Sequence, residues 1–240
     1  MGLKRRFRAG CALLAGLGLI CSCLQAHPPQ LEMGVHSRYI WRGFDLNPDN
    51  RPVLQPSMSL CLGKSGLTLN LWGSFSMVDR DLDEVDLTFT WDFAIGERFD
   101  VTLGAVQYGW YFSRDFSWRE HTSRELFFTI ATKGAALNPS LSLYWDTANG
   151  SGLYMLLGIT HTAELCCGRT LELGASIGYN HRQWVDVSGF SDLNVSISMP
   201  QRLFRVTITP SASVSVILMD AINVDSKLEI WGGILFSWDA

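Results

Sequence analysis

Residues 31–56, LEMGVHSRYIWRGFDLNPDNRPVLQP, read as an opening strand, a polar loop and the start of a returning strand. From Leu31 to Gly43 one parity holds Leu31, Met33, Val35, Ser37, Tyr39 and Trp41. The other holds Glu32, Gly34, His36, Arg38, Ile40 and Arg42. Alternation of this kind belongs to a strand, in which successive side chains point to opposite faces. The odd face is apolar and ends in two aromatics, whereas the even face carries a glutamate, a histidine and two arginines. Which solvent each face meets therefore decides the fold.

The same period recurs to the end of the chain. Strands are expected over 31–43, 53–62, 67–77, 85–95, 101–112, 125–132, 139–145, 153–162, 171–180, 192–199, 205–218 and 228–239. The clearest is 85–95, where Val85, Leu87, Phe89, Trp91, Phe93 and Ile95 oppose Asp86, Thr88, Thr90 and Asp92. Parity slips between Ala105 and Tyr108, which suggests a bulge, and Pro210 predicts a bulge or a weakly paired position in its strand. The connections alternate in length. Segments 44–52, 78–84, 113–124, 147–152, 181–191 and 219–227 lie at one end, and the turns 63–66, 96–100, 133–138, 165–169 and 200–204 at the other.

The 240 residues are 47% hydrophobic and 18% charged, with 12% aromatics and a mean hydropathy of +0.12. Lys4, Arg5, Arg6 and Arg8 precede an apolar run from Cys11 to Leu24, the pattern of a secretory signal peptide, here expected over 1–26. Its removal takes four of the 19 basic residues and none of the 23 acidic ones, so the net charge goes from −4 to −8. An acidic surface excludes nucleic acid as a partner. Residues 27–240 hold no run of about 18 apolar residues. An exported, apolar-rich chain of alternating strands is then either a soluble all-β domain or a closed membrane barrel. Cys61, Cys166 and Cys167 remain after cleavage, an odd number without metal-ligand spacing; they read as apolar or turn-lining thiols, with at most one bridge.

Alternation alone does not separate the two folds, so the content of the polar parity decides. It is dominated by Ser, Thr, Asn and Gly, where a solvated sheet face would carry more Lys and Glu. Small polar residues suit a lumen on which many strands converge. Tyr39, Trp41, Trp91, Phe93, Trp145, Tyr179, Phe236 and Trp238 cluster near strand ends, as interfacial girdles do. The expected fold is an all-β transmembrane antiparallel up-and-down barrel of 12 strands in an outer membrane, its longer loops outside the cell.

Two resemblances rest on particular residues. Gly233, Phe236 and Trp238 in the final strand resemble the assembly signal of bacterial outer-membrane proteins, which implies the barrel-assembly machinery as a partner beside outer-membrane lipid and lipopolysaccharide. Ser37-x-Tyr39-x-x-Arg42-Gly43, Pro52-x-x-Gln55-Pro56 and Trp72-Gly73-Ser74 resemble a family of bacterial porins labelled TorF-type. That resemblance covers the first third of the chain and implies a twelve-strand barrel of unassigned substrate.

Pore-lining candidates follow from parity: Glu32, His36, Arg38 and Arg42 on the first strand, Glu229 and Trp231 on the last, and Trp72, Asp86, Asp92, Asp146 and Glu172 between them. Closure makes the first and last strands neighbours, and a register setting Arg42 near Glu229 would also set Glu32 near Asp239. Arg38 and Arg42 are expected either to attract small anionic solutes into a pore, since basic rings favour anions, or to pair with Asp86, Asp92, Asp146 or Glu172 and brace a filled lumen. A third class is a barrel-embedded hydrolase. His121 and His161 are its nearest candidates, but neither shares a depth with a nucleophile and an orienting group, so no catalytic residue is assigned. Asp79-x-Asp81-x-Asp83 lacks the glycine and closing glutamate of a calcium loop. No metal site or cofactor is expected.

Overall fold

The computed structural model describes residues 28–47, 49–109 and 122–238. The expected signal segment 1–26, His121 and Asp239 lie outside them. Among the described residues fifteen strands form: β1 (Gln30–His36), β2 (Ile40–Trp41), β3 (Phe44–Asp45), β4 (Val53–Cys61), β5 (Leu67–Ser76), β6 (Asp81–Ile95), β7 (Phe99–Tyr108), β8 (Ser123–Thr132), β9 (Asn138–Asp146), β10 (Gly152–Glu164), β11 (Thr170–His181), β12 (Ser188–Ser198), β13 (Gln201–Leu203), β14 (Val206–Ile217) and β15 (Leu228–Trp238). Consecutive long strands pair antiparallel from β4 to β12; β12 pairs with β14, β14 with β15, and β15 with β1, which returns to β4. Twelve strands thus close on themselves and leave no free edge. β13 pairs only with β14, and β2–β3 is a separate hairpin.

Burial runs opposite to that of a soluble domain. Among the most enclosed side chains are Ser74, Ser76, Ser123, Glu125, Asn180, Asp192, Ser215 and Glu229, whereas Leu126, Trp145, Leu157, Phe190, Val195 and Ile230 are at least half exposed. A polar interior within an apolar exterior is the arrangement that hydrocarbon solvent selects, since the strands pair all round the ring and the outer side chains need no water. Among the described residues no helix is long and apolar enough to cross a membrane, and the crossing is made by strands. Trp91 and Phe93, Tyr179 and Phe190, and Phe236 and Trp238 pack as ring pairs on the outer parity near strand ends.

Several local expectations need correction. The first barrel strand stops at His36 instead of continuing to Gly43. Gly232 accepts from the Ser37 amide at 2.9 Å while its own amide donates to Ser37 Oγ at 3.1 Å, so the Ser37 side chain ends the ladder with β15. The chain then turns inward. Arg42 (φ 51°) and Gly43 (φ 85°) form the two-residue turn between β2 and β3, the backbone that a tight hairpin requires. Tyr39 and Trp41 accordingly sit inside the barrel rather than in a lipid-facing girdle. No bulge interrupts β7, which pairs in unbroken register with β6 and β8; Val106 faces the lumen and Gln107 faces out, inverting the usual polarity and mimicking a slip. The bulges lie instead between Ser74 and Phe75 and between Gly178 and Tyr179. Asp81 to Glu84, expected in a loop, extend β6 beyond the first of these. Opposite Pro210 the ladder does break, with β12 ending at Ser198 and β13 starting at Gln201.

Candidate functional site

The inward hairpin organises the lumen. Arg42 donates from Nη1 and Nη2 to both Glu125 carboxylate oxygens at 2.7 and 2.8 Å, and from Nη1 to Gln183 Oε1 at 2.6 Å. A bidentate fork of this kind is the strong form of the ion pair. The guanidinium carbon also lies 4.4, 4.2 and 4.7 Å from the ring centroids of Trp41, Tyr144 and Tyr154. Glu125 is further satisfied by Tyr108 Oη at 2.8 Å and Gln183 Nε2 at 2.9 Å. Gln183 is itself pinned: its amide donates to Asn180 Oδ1, and Asn180 Nδ2 donates to its carbonyl. Tyr154 Oη donates to Asp192, which also receives Ser191 and Asn194.

Trp41 and Tyr108, packed edge to face at 5.7 Å, separate two cavities. One, of about 470 Å³, is lined by Arg42, Tyr144, Tyr154, Ser176, Asn194 and Trp231 with Trp41 and Tyr108. The other, of about 510 Å³, is lined by Tyr39, Phe44, Leu46, Trp72, Glu84, Asp86 and Trp184 with the same two rings. Tyr39 Oη donates to Glu84 Oε2 at 2.9 Å, and the Gly109 amide donates to Asp86 Oδ1 at 3.0 Å.

The expected lining residues occupy several places. Glu32 accepts from Ser57 and Ser237 across both neighbouring strands. His36 lies over Gly34 and Gly233, where an added Cβ would collide with its ring. Arg38 forms an ion pair with Glu229, which also accepts from Asn223. The register of β1 on β15 pairs Leu31 with Trp238, two residues from the one that would have brought Arg42 to Glu229. Asp92 accepts from Thr90 and Thr102, and Glu172 from Ser198, toward the short-turn end. Asp146 closes the β9–β10 loop, receiving Ser123 Oγ and the amides of Ala148 and Ser151. None of Asp86, Asp92, Asp146 or Glu172 pairs with Arg38 or Arg42. The partner of Arg42 is Glu125, whose place on the polar parity opposite Leu126 was readable; Gln183, in a loop, carried no such signal.

Among the described luminal strand positions, Glu32, Asp86, Asp92, Glu125, Glu172, Asp192 and Glu229 hold carboxylates, and the register of β13 on β14 sets Arg202 on the same parity at the short-turn end. The anion attraction expected of Arg38 and Arg42 required free charge, and both are paired. Outside the barrel wall, Arg51 binds Asp79 at 2.7 Å, and that hydrogen bond holds the guanidinium above its ordinary pKa. His161 Nδ1 lies 2.6 Å from the Ala136 carbonyl at the short-turn end, the length of β10 away from Ser151. Cys61 and Cys166 are free thiols. Among the described residues no group of His, Cys, Asp or Glu is placed to hold a metal.

Solved structures share this architecture. The KdgM porin superposes with a TM-score of 0.59 at 7% identity, over 88% of this chain and 99% of that one. It has a porin fold. A second structure of that protein, in complex with disordered oligogalacturonate, gives 0.58 at 7% identity over 88% and 99%, and the NanC porin gives 0.54 at 10% identity over 89% and 100%. No protein-family model and no curated protein sequence matches the chain. At these identities the likeness establishes the closed twelve-strand barrel, the architecture of outer-membrane porins.

Proposed function

We propose that the chain is an outer-membrane channel for small hydrophilic solutes, narrowed by the hairpin at 39–46. The observation that carries this reading is the pair of cavities inside a closed barrel, meeting at the Trp41–Tyr108 partition. An inward hairpin held by side chains rather than by the barrel ladder makes a constriction and leaves the wall intact. The longer loops face the cell exterior, and the short turns face the periplasm. Wall carboxylates set the field in the lumen, so cations are the favoured ions. The fold of the neighbours and the motifs around Ser37, Pro52 and Trp72 support membership of the TorF-type porin family. Residues 1–26 act as the export signal, and Gly233, Phe236 and Trp238 engage the barrel-assembly machinery. The outer face meets lipid and lipopolysaccharide, and the barrel performs no bond chemistry.

A second reading follows from the density of contacts around Arg42: a barrel whose lumen is filled and whose role lies at its outer surface. Liposome swelling and planar-bilayer recording separate the two. The channel reading expects swelling with small sugars, measurable single-channel conductance and a reversal potential set by cations. Folded protein that neither swells liposomes nor conducts would establish the filled barrel.

A further inference from the structure

The lumen builds an aromatic and carboxylate cage twice, and among the described residues one copy holds a cation of the protein's own and the other does not. In the first, Arg42 lies 4.2–4.7 Å from three ring centroids and is neutralised by Glu125. In the second, the cavity of about 510 Å³ brings together Tyr39, Trp41, Phe44, Trp72, Tyr108 and Trp184 around the carboxylates of Glu84 and Asp86. Rings there are close enough to act as one wall: Tyr39 and Trp72 are 5.6 Å apart, Trp41 and Phe44 6.0 Å, and Trp41 and Tyr108 5.7 Å. Both carboxylates are about 8% exposed, and among the described residues no Lys, Arg or His forms an ion pair with either. Beside them Ser74, register partner of Glu84, is fully buried with its hydroxyl unpartnered.

We infer that this second cavity binds small organic cations, specifically an ammonium group carrying an apolar or aromatic body. Ring faces attract a desolvated cation, Trp most strongly. Glu84 and Asp86 are hydrogen-bonded to each other and so share a proton; the negative charge left on the buried pair has no counter-cation among the described residues, and a cation entering beside it relieves that cost. The apolar remainder of the wall, with Leu46 and Phe44, accommodates the body of such a ligand, whereas a bare metal ion would find too few oxygen ligands. Anions are repelled by the negative charge of the same acidic pair. Entry is from the long-loop end, since Leu46 and Trp184 both come from connections there. Binding at this cavity does not require permeation through the barrel.

The test uses the detergent-folded protein titrated with benzylammonium, benzyl alcohol and benzoate, with tryptophan fluorescence as the readout. Benzylammonium is expected to give saturable quenching at least about tenfold tighter than benzyl alcohol, and benzoate none, a tenfold ratio being a modest fraction of what a desolvated cation–π site provides. In Glu84→Gln/Asp86→Asn the benzylammonium affinity should fall to that of the alcohol. Trp72→Leu, which keeps both acids, should weaken benzylammonium at least about threefold and serves if the double variant does not fold. Equal binding of the three probes, absence of binding, or affinity unchanged in these variants would overturn the assignment. Failure of liposome swelling with binding intact would remove the channel reading and leave the cage in place.

Discussion

Replacing Arg42 by alanine tests whether side chains alone hold the hairpin in the lumen. The hairpin has little backbone anchorage of its own: Ile40 pairs with Asp45, Trp41 with Phe44, and the Leu46 amide donates to the Tyr39 carbonyl. None of these bonds reaches the barrel wall. Arg42 supplies the fork to Glu125, the bond to Gln183 and the ring contacts. Removing one partner of a buried pair costs about 3–5 kcal/mol. The lower end applies here, because Tyr108 and Gln183 still donate to Glu125 after truncation. About 3 kcal/mol corresponds to roughly a hundredfold shift in the docking equilibrium of the hairpin. Hydrogen exchange of the folded protein in detergent reads this directly. Amides of residues 40–46 should lose roughly a hundredfold in protection, while those of β9–β11 keep theirs. Glu125→Gln should act in the same direction with a smaller effect, since its amide oxygen still accepts from Arg42. Unchanged protection at 40–46, or an equal loss in the barrel strands, would refute the claim that this cluster is the latch.

Two further substitutions test the wall. Gly66 has φ +77°, and a Cβ there would run into the Asp92 carbonyl; Gly66→Ala should lower the stability of the folded barrel by about 1–3 kcal/mol in urea titrations, whereas Gly134→Ala, also at positive φ but with open space around it, should cost less. Leu157 lies near the middle of β10 and is 55% exposed on the outer parity; Leu157→Lys should impair folding into bilayers by about 2–4 kcal/mol. Ser176→Lys, on the luminal parity beside the Arg42 cavity, should leave folding nearly intact and reduce cation preference, and equal folding defects in the two would mean that the faces are assigned wrongly.

The alternation was sufficient for the strands because a barrel wall has two faces in different solvents, so each strand carries its orientation in its own residues. Leu67–Met77 and Val85–Ile95 read this way without ambiguity. Alternation misplaces Tyr39 and Trp41 for a physical reason: β2 is also a strand, so the period continues through Ser37 although the chain has left the wall. What marked the departure was Arg42-Gly43, a pair able to take the left-handed turn, followed by the polar run to Pro52. Val106 and Gln107 misled for the opposite reason, since a luminal position tolerates a buried valine between Thr88 and Glu125, and an outer one tolerates a glutamine bonded to Arg124. The Arg38–Glu229 pair lay within reach of parity reasoning, but register is set by closure and turn lengths, which one strand does not contain. Gln183 enters the lumen from a loop whose conformation depends on Asn180, and no periodicity describes it.

The arginines of the opening stretch illustrate how enclosure changes the meaning of a charge. On a solvated strand Arg42 would be a weakly interacting surface group, worth little to stability. Within a barrel its guanidinium is withdrawn from water, and that burial is tolerable only because Glu125, Gln183 and three rings meet it together. Having spent its charge on Glu125, it contributes almost nothing to the field that a solute feels. On the long-loop side of the same partition stand Glu84 and Asp86, for which the described residues supply hydrogen bonds but no cation. The hairpin that carries the arginine thus supplies, through Tyr39, Trp41 and Phe44, the aromatic wall of the cavity that holds those acids, while its own charge is confined to the other side of the partition.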